Sequence, residues 1–131
     1  MEYNLVLKSI LNVFKANGYN TGDLIEANEI DSHKNNYACF SLPQIGMKKI
    51  NRIDYEQTIS VFLFVFKVGT KLTDDNFAAY IKEIMIILNS SGFQNVLMST
   101  SVNDFEIKNI SMGKIEEMKG MIIFEIQIKG V

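Results

Sequence analysis

The sequence predicts an α+β domain: a mixed, mostly antiparallel β-sheet of four to five strands with two α-helices packed on one face. Three observations carry this. Segments 3–17 and 73–90 repeat apolar residues at helical spacing; segments 57–68 and 121–129 alternate at period two; and most connections are too short for a parallel crossover. A chain of 131 residues holds one hydrophobic core, so a single domain spanning 1–131 is expected. No internal repeat, low-complexity tract or Pro- or Ser-rich linker divides it.

The first helix, over 3–17, sets Leu7, Ile10, Leu11 and Phe14 on one side and Asn4, Lys8, Asn12 and Lys15 on the other, with Gly18 as its stop. Residues 19–36 turn to Asn, Gly, Asp, Ser and Lys, pinned only by Leu24, Ile25 and Ile30, which suits an irregular connection holding at most a short strand. Residues 37–42 are dense in aromatic and small apolar side chains and meet Pro43, the sole proline, so they read as a strand ended by a residue that cannot donate to a ladder.

Residues 44–56 mix Gly46, Lys48, Lys49, Asn51, Arg52 and Asp54 with scattered isoleucines, as a long hairpin excursion does. The strongest strand follows over 57–68. It puts Ile59, Val61, Leu63 and Val65 on one face and Phe62, Phe64 and Phe66 on the other, and Gly69 ends it.

Thr73 or Asp74 caps the second helix, with Leu72 and Phe77 at staple positions. Phe77, Tyr80, Ile81, Ile84, Met85 and Leu88 form a broad stripe widened by Ile86 and Ile87, so this helix is expected to be largely buried, with Gly92 as its left-handed stop. Residues 96–105 read as a strand with Ser and Thr at alternate positions, and 106–119 as a polar stretch of undefined structure. The closing strand, 121–129, alternates Ile122, Phe124, Ile126 and Ile128 against Glu125, Gln127 and Lys129, giving one buried and one wet face.

Composition narrows the function classes. Thirteen Lys and Arg against fifteen Asp and Glu leave a net charge of −2, which argues against an overall polyanion-binding surface, and an apolar fraction of 47% argues against disorder. One cysteine and one histidine make a poor metal kit, and no metal site or cofactor motif is expected: both GxGxxG and GxxxxGK[ST] are missing. The lone cysteine suits a reducing cytoplasm, and the longest apolar run, 61–66, is far short of a membrane helix. Cys39 and His33 are the only pair suggestive of nucleophilic catalysis, but Cys39 falls in an apolar strand, where a thiol packs as a small hydrophobe, and His33 in a polar loop. No catalytic, cofactor-binding or metal-binding residue is assigned, and an enzyme is not expected. Lys48, Lys49 and Arg52 form a candidate partner-contact loop at the hairpin tip, with a solvated loop as the plainer alternative.

The strand over 57–68 is apolar on both faces, whereas two helices cover only one. Large rings fill a gap between helices and sheet, so the phenylalanines are assigned to the helix side. Ile59, Val61, Leu63 and Val65 are then left as an oligomer interface. The alternative is that 19–36 folds over that row.

The order of elements resembles the lambda-type tail terminator family of long-tailed bacteriophages, small proteins that cap the tail tube next to the head. The resemblance runs through LVLKSILNVFKANG, YACFSLPQIGMKK, TISVFLFVFKV, DDNFAAYIKEIMIIL and GMIIFEIQIKG. It implies a homo-oligomeric ring, typically a hexamer, that binds the last ring of tail tube protein, stops its polymerisation and offers a surface to the head–tail connector. The ring would pack the aliphatic row on a second, different patch of its neighbour. Genome DNA would pass through it without being read by sequence. The resemblance places the protein in the host bacterial cytoplasm during assembly and then in the virion tail, with no membrane partner and no chemical step. The alternatives are another phage neck or head–tail connector protein, or a cytoplasmic α+β ligand-binding or regulatory oligomer.

Overall fold

The structure, a computed structural model, describes residues 1–22, 36–68, 72–116 and 119–131. Helix α1, Tyr3–Ala16, buries Val6, Leu7, Ile10 and Phe14, and ends at Gly18, whose φ of +88° is the left-handed conformation glycine adopts without cost. Strand β1, Asn20–Gly22, then pairs parallel with β2, Tyr37–Phe40. Leu24, Ile25, Ile30, His33 and Gly69 lie outside the described residues.

Strand β3, Gln44–Lys49, turns at 50–54 into β4, Tyr55–Val68, the longest central strand. One edge of β4 carries β2 and β3 in tandem, joined through the break at Pro43, and the other carries β6, Lys119–Gly130. At the break Ser41 continues the ladder: its N–H donates to the Phe62 carbonyl, and its hydroxyl accepts from the Phe62 N–H, each at 2.9 Å. Strand β5, Val102–Glu116, closes the sheet against β6. The class is α+β as predicted, with six strands and three helices among the described residues.

The third helix corrects the prediction for 96–105. Helix α2, Asp74–Leu88, starts at a Thr73 capping box with Asn76 and ends at Asn89. Helix α3, Ser91–Ser99, follows at once because the Ser90 hydroxyl accepts from the Phe93 N–H at 3.2 Å. Phe93, Val96 and Leu97 are a helical i, i+3, i+4 set, and Gly92 lies in the first turn of α3 instead of stopping α2. Nor is α2 largely buried: Ile84, Ile87 and Leu88 are, while Ile86 is 65% exposed.

The second correction concerns 106–119, most of which is strand β5. Bulges between Val102 and Asp104, Ile107 and Asn109, and Lys114 and Glu116 break its alternation, so Phe105, Ile107, Ile110 and Met112 all pack on the core across an irregular spacing.

The third reverses the faces of β4. Ile59, Val61, Leu63 and Val65 are the centre of the core, none more than 2% exposed. They stand opposite Ile128, Ile126, Phe124 and Ile122 of β6, and the buried stripes of α1, α2 and α3 pack on this combined surface. The proposed oligomer interface is therefore the intramolecular core. Branched aliphatic side chains keep the helix-to-sheet gap small, and each buried one contributes about 1.5–3 kcal/mol. The phenylalanines lie on the far face, where Phe66 joins Tyr37 and Cys39 in a small second buried cluster.

Candidate functional site

Chemistry-bearing residues are few and mostly structural. Cys39 is fully buried beside Tyr37 and Phe66. Among the described residues no group of three or more His, Cys, Asp and Glu could hold a metal ion. Among the described residues a buried charge is found at Lys67, 7% exposed, whose ammonium donates to Glu83 of α2 at 2.9 Å and lies 5.7 Å and 5.1 Å from the ring centres of Tyr19 and Tyr80. A cation between two rings and a carboxylate is satisfied in place, and it ties the end of β4 to α2.

What one chain leaves unsatisfied is apolar surface, and it is concentrated. Eleven large apolar side chains are exposed among the described residues, and seven of them, Leu42, Ile45, Met47, Ile50, Ile53, Tyr55 and Phe62, fall in 42–62. That stretch is the β3–β4 hairpin and the sheet surface at its root. Every residue of β3 is exposed. Ile45, Met47 and Tyr55 share the face of β4 that carries the core row, but they lie beyond the reach of the helices, so the hairpin projects as an arm.

The arm has a defined tip. The Asn51 side-chain carbonyl accepts from the N–H groups of Ile53 and Asp54 at 2.9 and 2.8 Å, its amide donates to the Asp54 carboxylate at 2.9 Å, and the Ile50 N–H donates to the Asp54 carbonyl at 3.1 Å. This turn leaves Ile53 84% exposed at the apex. Lys48, Lys49 and Arg52 are all exposed on the arm, though not as one patch: Lys48 and Lys49 alternate across the strand, Lys49 sits with its ammonium 6.0 Å from the Tyr55 ring centre, and Arg52 is in the tip.

At the root, Phe62 and Phe64 stack with ring centres 6.4 Å apart, and Phe62 is 43% exposed. Beside them a cleft of about 180 Å³ is lined by Ser41, Leu42, Gln44, Ser60, Val61, Phe62 and Glu125. The register divides the far face into an apolar end, Phe62, Phe64, Met121 and Ile123, and a polar end, Thr58, Ser60, Gln127 and Lys129.

No protein-family model matches the chain, and no curated protein matches it. The site therefore rests on geometry. The sequence located the arm and its three bases, and it missed the exposed apolar residues Ile45, Met47, Ile50 and Ile53. The available signal was their number: four large apolar residues in a short hairpin with no helix assigned to cover it.

Proposed function

We propose that the protein is a structural assembly subunit of the tail terminator type, which forms a ring at the head-proximal end of a phage tail tube, stops tube growth and presents a surface for head joining. The observation that carries the proposal is the arm. Seven large apolar side chains held in water on a preformed hairpin and at its root suit a surface that is completed by another protein. The element order and the five stretches that resemble the family add to it, and the corrected face assignment moves the contact from the aliphatic row to the arm tip and the Phe62–Phe64 surface. These are two different patches, separated by eight residues of extended strand, roughly 26 Å, as a heterologous ring contact requires. Tail tube protein and the head–tail connector are the proposed partners, and function lies in shape and contact without a chemical step.

The test is assembly on a tube. Purified chain mixed with tubes of a tail tube protein from the same genome is expected to appear by cryo-electron microscopy as a ring at one tube end, and to halt elongation at substoichiometric amounts. Tubes that elongate at an unchanged rate and carry no added density overturn the proposal.

A further inference from the structure

The arm also has an open strand edge. β3 is bonded to β4 through six unbroken pairs, Gln44 with Ser60 to Lys49 with Tyr55, and among the described residues no strand bonds its other side. The opposite edge of the sheet, β5, is disrupted by three bulges that hinder strand addition; β3 has none. We propose that two copies of this chain pair through their β3 edges, antiparallel, about a two-fold axis at Gly46, so that the sheet continues from one copy into the other.

The second copy is chosen by the sequence of β3 itself. In antiparallel pairing, directly opposite residues share a face, so a two-fold axis must fall on a residue and not between two. Centred on Gly46, the pairing sets Ile45 opposite Met47 of the second copy and Met47 opposite its Ile45, with Gln44 opposite Lys48 on the other face and glycine against glycine. Ile45 and Met47 meet each other and the Lys48 ammonium meets the neutral Gln44 amide, while Lys49 falls beyond the paired stretch, opposite Pro43. Centred on Met47 instead, Ile45 would face Lys49 and Gly46 would face Lys48, which wastes one apolar pair and buries part of a lysine against it. Of these two registers only the Gly46-centred one pairs Ile45 with Met47. An isologous pair of this kind closes on itself and is distinct from the heterologous contacts of a ring, so it does not rest on the terminator proposal.

Cysteine scanning reads the register. An added Cβ at Gly46 meets nothing within 4 Å, so Gly46→Cys fits the strand, and the native Cys39 is buried. Across a Gly46-centred axis the two Cα atoms stand about 4.5–5.5 Å apart, inside the range of a disulfide, whereas residues 47 of the two copies are roughly 8 Å apart and outside it. Under mild oxidation at micromolar concentration, Gly46→Cys is expected to form covalent dimers at least about tenfold faster than Met47→Cys and than Asn95→Cys, an exposed control on α3. Any other order of the three rates overturns the inference: Met47→Cys in front means the alternative register, and three equal rates mean that the edge does not pair. Light scattering on the unmodified chain is expected to give a dimer mass at the same concentration, and a monomer mass overturns the pairing.

Discussion

Among the described residues Tyr19 carries a buried polar atom that is left incomplete, and it lies beside Lys67. Its hydroxyl is buried and meets no hydrogen-bond partner of good geometry among the described residues, although the Lys67 ammonium that donates to Glu83 lies beside its ring. Burial pushes the phenol above its ordinary value of 10.0; the positive charge of Lys67 opposes the shift and the negative charge of Glu83 adds to it. A group that holds its proton more tightly when folded stabilises the fold fully below its unfolded value and loses that contribution as pH rises past it. Urea unfolding of the wild type is therefore expected to weaken from about pH 10 upward, with a slope that Tyr19→Phe reduces. At pH 7 the same variant is expected to be as stable as the wild type or better by up to about 1 kcal/mol, since it removes an unpaired hydroxyl and keeps the ring edge-on to Phe14. The row on β4 behaves differently. Leu63 is 0% exposed among Val61, Val65 and Phe124, so Leu63→Ala is expected to cost about 2–5 kcal/mol in urea titration and Leu63→Lys to abolish folding. The row is a folding determinant, and a soluble, folded Leu63→Lys protein would contradict its place in the core.

Elements differ in how plainly the sequence announces them, and the reasons are local. α1, β4 and β6 carry uninterrupted periodicity and were legible. β5 was not, because bulges shift its register three times and place Ile107 and Ile110, three residues apart, on the same face. α3 was hidden by its serines and threonine, which favour turns in isolation but here cap and close the helix: Ser90 at the start, and Thr100 donating to the Val96 carbonyl at 2.6 Å at the end. The face of β4 was ambiguous on its own, apolar on both sides. Pairing with β6 resolves it, since Phe62 stands opposite Glu125 and Leu63 opposite Phe124, so the wet side of β6 marks the outer side of β4. Ser90 also bridges two helices, donating to the Ile87 carbonyl at 2.7 Å while accepting from Phe93. Ser90→Ala removes both bonds and is expected to lower stability by about 1–2 kcal/mol in urea titration, with α3 losing amide-exchange protection before α1.

At the scale of the whole molecule, the core is separate from the exposed apolar arm to which contact is assigned in the proposal above. The helices, β4, β5 and β6 enclose an apolar interior to which no β3 residue contributes, and the tip residues Ile50 and Ile53 lie outside both buried clusters and are held in shape by the Asn51 and Asp54 bonds. Their solvation in one chain contributes nothing to folding, so replacing them separates the two roles. Ile50→Ser with Ile53→Ser is expected to leave the thermal midpoint within a few degrees of the wild type, because exposed substitutions change stability by about 0.5 kcal/mol or less. On tail tubes the same variant is expected to lose end capping by at least about tenfold, since two large apolar contacts at an interface are each worth 1 kcal/mol or more when desolvated. The β3 edge is untouched by this pair of changes, so covalent dimers of a Gly46→Cys form carrying them should still appear at the same rate. Capping lost with dimerisation kept assigns the tip to the tube or to a ring neighbour. Capping kept at the wild-type level removes the tip from the contact and leaves the Phe62–Phe64 surface to carry it.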